Sequence, residues 1–326
     1  MSSEIKIKCR NPHEFLISVV YSLSYASTVR GPALHHSLLG LGYIFSALDI
    51  PTIFNISAPD FLLINTQHKT VIAVECKGDI VENSKLDKLK EKFSERVVDA
   101  VRSAVQDSAG EYIIEFVIHT FDIYGDYYAK VAHNINKEVG HKVLLWTTTA
   151  IPQVRADAST RGPVEYYTLK KYVSSSYVAN HNDEDLDRLL TQGILISEND
   201  IVCNPLVDPD VSYQVLFYEV SEYILRAAIS DRYRGQRVEI VKFVQNIKRD
   251  YQSHVKTDRL LDVVIDIFSI FPWLGEVRTS SYEILFKKRP RLDIEDFYNV
   301  REKIIGMSDN EAKRYVRELK LKRSKR

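Results

Sequence analysis

Two apolar runs, at 61–64 and 71–74, are separated by the polar stretch Thr66-Gln67-His68-Lys69. Runs of four apolar residues on either side of so short a break read as two buried β-strands joined in a hairpin. With 66–69 as the loop, Asn65 opposes Thr70, and counting outwards sets Asp60 opposite Glu75. Directly opposed residues of a hairpin hold their Cβ atoms about 5 Å apart. Lys77 lies two residues beyond Glu75 and so shares its face. The hairpin therefore gathers Asp60, Glu75 and Lys77 on one side of a sheet.

Two carboxylates that close repel each other, and a hard divalent cation turns the liability into a site. Mg²⁺ takes oxygen ligands and keeps several waters, which suits one or two carboxylates plus a substrate phosphate. Asp60 and Glu75 are the expected ligands, with the Cys76 carbonyl as a further oxygen. A metal there activates water and offsets phosphate charge. Lys77 is expected to orient or deprotonate the attacking water, or to neutralise developing charge.

Pro59-Asp60, fourteen residues, then Glu75-Cys76-Lys77 resembles the signature of the PD-(D/E)xK nuclease superfamily. Glu-x-Lys recurs at Glu4–Lys6, Glu311–Lys313 and Glu318–Lys320, but only the copy at 75–77 follows a run of β-formers with Pro-Asp one hairpin upstream. The resemblance implies a metal-dependent phosphodiesterase on a mixed sheet flanked by helices, with Mg²⁺ as cofactor and Mn²⁺ as its substitute. Upstream, Arg30-Gly31-Pro32-Ala33-Leu34-His35 is similar to the Gly-x-x-x-His element of RecB-like nucleases, which implies His35 as a metal ligand. The Gln and Tyr usual in the following helix of RecB-like exonucleases are missing from 85–93, and no motor motif is present. Both omissions favour endonuclease over exonuclease, and duplex cutting would favour a homodimer.

Net charge is zero over 326 residues, but its distribution is uneven. Residues 183–222 hold one Arg against ten carboxylates, and residues 223–326 hold 24 Lys and Arg against 15 carboxylates. The basic last third is expected to meet an anionic partner. Three widely spaced cysteines suggest a reducing compartment without a disulfide framework. With no apolar leader and no run of transmembrane length, the expected location is the cytoplasm, away from membranes. GxxxxGK is absent, as are HExxH, GxSxG and a GxGxxG after a strand, so no nucleotide cofactor is expected.

Along the chain, Asn11-Pro12-His13-Glu14 opens a helix as N-cap, N1 and N3. Leu34, Leu38, Leu41, Phe45 and Leu48 fall on one stripe of a second helix, and 52–56 reads as a strand before the hairpin. A charged amphipathic helix covers 83–105. On it Lys85, Lys88, Lys90 and Lys92 alternate with acids, the pattern of a solvated face. Strands at 111–120 and 143–149 flank a helix at 128–139, and a further strand is possible at 164–173. A small hairpin fits 193–204. Helices at 210–229, 238–251 and 257–271 precede a hairpin at 276–288, an order similar to a winged helix-turn-helix. Ser308 and Glu311 form a capping box for a basic terminal helix.

These readings describe an α/β chain: a restriction-endonuclease-like mixed sheet flanked by helices at 1–152, a linker at 153–182, and a mainly helical, winged-helix-like DNA-binding or dimerisation domain at 183–326. Lys287, Lys288, Arg289, Lys320, Lys322 and Arg323 are its candidate phosphate contacts. The expected function is a metal-dependent DNA endonuclease. Its rivals are a non-catalytic DNA-binding regulator on a nuclease-like scaffold and an RNA nuclease.

Overall fold

The structure, a computed structural model, describes residues 11–24, 37–46, 56–105, 111–139, 141–151, 165–207, 210–230, 233–251, 253–278, 280–288 and 293–323. The chain is mixed α/β and divides into two compact units, Met1–Asn204 and Pro205–Arg326. Among the described residues, no helix is long and apolar enough to cross a membrane.

The first unit is built on a seven-stranded mixed sheet in the order β1 to β7. Its strands are β1 (Ile44–Ser46), β2 (Phe61–Asn65), β3 (Thr70–Lys77), β4 (Ile113–Phe121), β5 (Val143–Ile151), β6 (Tyr166–Lys171) and β7 (Ile194–Ser197). Pairing is antiparallel from β1 to β3, parallel from β3 to β5, and antiparallel from β5 to β7. The hairpin has the register read from the sequence: Asn65 pairs with Thr70 and Phe61 with Val74, so Asp60 faces Glu75 one step further out. Asn65 closes the turn by accepting the N–H groups of Gln67 and His68.

Helices α1 (Pro12–Ser24) and α2 (Ser37–Gly40) precede the hairpin; α3 (Leu86–Glu91), α4 (Glu95–Val105) and α5 (Gly125–Val139) follow it. The face of the sheet that carries Leu62, Val71, Ala73, Phe116, Ile118, Val143 and Leu145 packs against Leu89, Phe93, Val97, Val101, Tyr128, Ala132 and Ile135. Alternation along β3 places Glu75 and Lys77 on this same face, at the end of the strand. Asn11 caps α1 as expected, its Oδ1 accepting the Glu14 N–H at 2.8 Å.

Two expectations change. The helix read across 32–48 survives, among the described residues, only as α2. The chain then turns at Gly42, whose φ of +87° suits glycine, and enters β1. Asn65 holds that turn by donating to the Leu41 carbonyl at 2.8 Å. Phe45 spends its apolar side chain on Phe61, 4.7 Å away in β2, instead of on a helical stripe. A four-residue apolar spacing cannot distinguish these uses. The strand expected at 52–56 and the candidate ligand His35 lie outside the described residues, save Ile56.

Second, the linker expected at 153–182 is not one at 165–182, while residues 153–164 lie outside the described residues. β6 pairs with β5 through six residues, and β7, after α6 (Glu184–Gln192), pairs with β6, which extends the sheet and moves the boundary to Asn204. Asp183 caps α6 by accepting from the N–H groups of Asp185 and Leu186, and it also accepts from Tyr43 Oη and pairs with His68 Nδ1, each at 2.8 Å. Cys76 is free and buried.

The second unit runs α7 (Tyr213–Ile229), β8 (Arg237–Glu239), α8 (Ile240–Tyr251), α9 (Thr257–Ile270), β9 (Gly275–Arg278), β10 (Glu283–Phe286), α10 (Ile294–Ile305) and α11 (Asp309–Arg323). Its small antiparallel sheet has the order β8-β10-β9. Phe243, Phe268, Phe286 and Tyr233 interlock at its centre, with ring centroids 5.4–5.7 Å apart. Glu311 reaches back to the Ser308 N–H at 2.9 Å, one half of the expected capping box.

Candidate active site

The hairpin positions two of the three expected residues through register alone, and other elements complete the cluster. Asp60, just before β2, sends Oδ2 to the Cys76 N–H of β3 at 2.7 Å, so its carboxylate is fixed by the backbone of the strand that carries Glu75. Glu75 is fully buried; its Oε1 accepts from Lys77 Nζ at 2.5 Å. Thr120 of β4 donates to the Lys77 carbonyl at 2.7 Å, and Tyr128 and Tyr127 of α5 donate to the carbonyls of Asp79 and Val81. The end of β3 and the loop after it are thus pinned from two sides.

Two members of the cluster carry no motif. Lys92 lies just past α3. Its ammonium bonds both Glu75 oxygens, at 2.8 and 2.7 Å, and stands 3.9 Å from Asp60 Oδ1. The helix read as continuous through 83–105 breaks here into α3 and α4. Phe93 inserts fully into the core at the break, and Lys92 turns inward instead of joining a solvated face. His13, in the first turn of α1, places Nε2 3.0 Å from Asp60 Oδ2. This contact needs Gly78: a Cβ there would lie 2.7 Å from Pro12 Cβ and 2.8 Å from the His13 nitrogen. Asn-Pro-His opening a helix and Gly ending β3 were both visible in the sequence; that they meet was not.

The electrostatics follow from these contacts. Burial works against ionising Asp60, but the His13 hydrogen bond, the His13 and Lys92 charges and the Cys76 N–H outweigh it, and the carboxyl lies well below the usual range. Burial and then the Asp60 charge push Glu75 up, against the pull of Lys92 and Lys77. Lys92 is raised because the two carboxylates outweigh its burial. His13 is likewise raised by Asp60 despite burial. Asymmetry of this kind, one carboxylate firmly ionised and its neighbour held back, is common at sites that bind cations or move protons.

Cys76 contributes its N–H to Asp60, while its thiol lies on the opposite face, 3.7 Å from His119 Nδ1. His119 also contacts Thr148 Oγ1 at 2.8 Å, and burial brings its pKa down to about 3, so it is neutral. These are packing contacts beneath the site.

The donor set fits a hard cation. Glu75 Oε2 and Asp60 Oδ1 both face one point, at present marked by a positive charge, the Lys92 ammonium. Among the described residues no three His, Cys, Asp or Glu side chains converge to cage a metal. Two carboxylates are what Mg²⁺ takes when water and phosphate supply its other ligands.

The candidate phosphate contacts divide. Lys287, Lys288 and Lys322 are exposed, and Arg289 lies outside the described residues. Lys320 and Arg323 are committed within the unit and so depart from expectation. Lys320 pairs with Asp266 of α9; Arg323 pairs with Asp296 at 2.6 Å and donates to the Ile270 carbonyl at 2.5 Å. Ala312 and Val316 bury the inner side of α11, so residues 309–323 form a docked helix. The exposed side of α9 carries Asp258 and Asp262.

No family model matches this chain, and no curated protein or solved structure matches it either.

Proposed function

We propose that the first unit is a Mg²⁺-dependent nuclease that hydrolyses DNA phosphodiester bonds, cutting within the strand. The observation that carries the reading is the convergence of Asp60, Glu75 and Lys77 at one strand end, with Lys77 Nζ 2.5 Å from Glu75 Oε1 and Asp60 held by the Cys76 N–H. The resemblance to the PD-(D/E)xK superfamily and the mixed sheet with flanking helices support a restriction-endonuclease-like core.

Asp60 and Glu75 would hold the ion. When bound, Mg²⁺ supplies charge compensation at the phosphate and makes water more acidic. The remaining work belongs to the chain. Asp60, kept ionised by His13 and Lys92, offers a permanent negative charge. Lys77, one-fifth exposed at the rim, donates hydrogen bonds to the incoming water and to the phosphoryl oxygen on which charge develops. Thr120 holds the Lys77 backbone through its carbonyl, and the two tyrosines of α5 hold the loop that follows it.

In the second unit, the sequence helix, strand, two helices and hairpin, with sheet order β8-β10-β9, supports the winged-helix reading. Phosphate contact is assigned to the exposed Lys287, Lys288 and Lys322. The groove-reading role usual for the helix before the wing suits α9 poorly, because Asp258 and Asp262 would meet phosphate and α11 packs against it.

A supercoiled plasmid incubated with Mg²⁺ or Mn²⁺ tests the proposal. The wild-type protein should nick or linearise it, and Lys77→Ala should reduce the rate by about a hundredfold or more. A mobility shift without any nick, equal in both proteins, would instead indicate a binding protein. Cleavage of single-stranded RNA in preference to duplex DNA would reassign the substrate.

A further inference from the structure

We infer that Lys92 is a built-in counter-cation of the site: its ammonium occupies the place between Glu75 and Asp60 that a divalent ion must take, so ion entry requires Lys92 to leave. The inference rests on the nuclease reading and concerns how the same site is controlled.

The geometry assigns the oxygens. Asp60 Oδ2 is engaged by His13 and by the Cys76 N–H, and Glu75 Oε1 is shared by Lys77 and Lys92. The oxygens left for an ion to bridge are Asp60 Oδ1 and Glu75 Oε2, and both face Lys92 Nζ, at 3.9 and 2.7 Å. Mg²⁺ binds oxygen at about 2.1 Å, so an ion on Glu75 Oε2 and an ammonium hydrogen-bonded to the same atom would sit at overlapping positions with like charge. Lys77 is different. It touches only Oε1, from the rim, and can stay while an ion binds.

Lys92 is anchored by Phe93 in the core, so only its side chain need move. Four methylenes let the ammonium swing outward to the nearest anion, and a DNA phosphate at the site is that anion. Without an ion the two carboxylates are neutralised internally and the site is closed. With ion and DNA together, the displaced charge has a partner. Ion and DNA binding are therefore coupled through one side chain.

The test is Mn²⁺ binding to the full chain by calorimetry, without DNA, alongside thermal melting. Lys92→Gln removes the charge and shortens the side chain by one atom, and should bind Mn²⁺ at least about tenfold more tightly than wild type, as expected when a unit charge beside both carboxylates is removed. Its melting temperature should be lower than wild type without Mn²⁺, and the gap should close as Mn²⁺ is added. Lys88→Gln removes the same charge from the exposed side of α3 and should leave affinity within about twofold. Lys92→Arg retains the charge and folds if Lys92→Gln does not; it should bind Mn²⁺ no more tightly than wild type. Equal or weaker binding by folded Lys92→Gln, or tighter binding by Lys92→Arg, overturns the inference and leaves the nuclease reading standing. If wild type and both Lys92 variants are folded and take up no Mn²⁺ at millimolar concentration, the metal reading itself falls, and this inference with it.

Discussion

Gly78→Ala tests how the site is assembled from separate elements. The added Cβ would meet Pro12 Cβ at 2.7 Å, the His13 nitrogen at 2.8 Å and the Pro12 carbonyl carbon at 3.0 Å, all in the first turn of α1. Two of these three atoms are backbone, so no side chain can rotate away. The helix start must retreat by roughly 0.7 Å, because a close-packed interior has no slack to absorb a methyl group. The His13–Asp60 contact, now 3.0 Å, then reaches the limit of a hydrogen bond. Overpacking costs about 1–3 kcal/mol. The lost charge-assisted bond adds about 1 kcal/mol, discounted because the His13 side chain is 46% exposed. Urea unfolding should therefore show a loss of about 3 kcal/mol.

The pH dependence separates the two contributions. Asp60 holds His13 above its ordinary value of 6.5, so the pairing contributes fully below that value and is lost as pH rises through the folded-state pKa. The deficit of Gly78→Ala should be larger near about pH 5.5 than near about pH 9, the residue at high pH being the overpacking alone. NMR titration should find the His13 pKa lower in the variant than in wild type. A loss below about 0.5 kcal/mol with an unchanged His13 titration would refute the claim that Gly78 sets the approach of α1 to Asp60.

Asp183→Asn should destabilise the first unit by about 2 kcal/mol near neutral pH, since Asn can keep the helix cap but replaces the charged oxygen that takes Tyr43 and His68 with an amide nitrogen. Burial opposes the Asp183 charge, yet the Tyr43, Leu186 and His68 contacts hold its carboxyl below the ordinary value. Its contribution is present above that value and fades as pH falls through the lower folded one, so denaturant melts of variant and wild type should converge in acid. In the second unit, Arg323→Ala should cost about 1–2 kcal/mol in unfolding experiments without changing how DNA affinity depends on salt, because its guanidinium is spent on Asp296 and Ile270. Lys322→Ala should do the reverse, leaving stability unchanged and lowering the slope of log affinity against log salt by about one.

The sequence by itself determined the hairpin and its register, because two apolar runs flanking a four-residue polar loop allow one pairing that buries both, and a slip by one residue would turn Glu75 and Lys77 to the other face. It likewise determined the capped start of α1, the long buried α7 and the helix-rich second unit, where periodicity runs for several turns. Short segments escaped it. Phe45 on a helical stripe and Phe45 in a three-residue strand present the same local pattern, and only its contact with Phe61 decides between them. Lys92 reads as one of four solvated lysines until the chain breaks after α3 around Phe93, and His13 reads as an ordinary first-turn residue until Gly78 lets α1 come close. Charge was placed by tertiary structure for the same reason. A lysine's sequence neighbours say little about which carboxylate lies within 3 Å of its ammonium, since that partner comes from a strand or helix folded beside it.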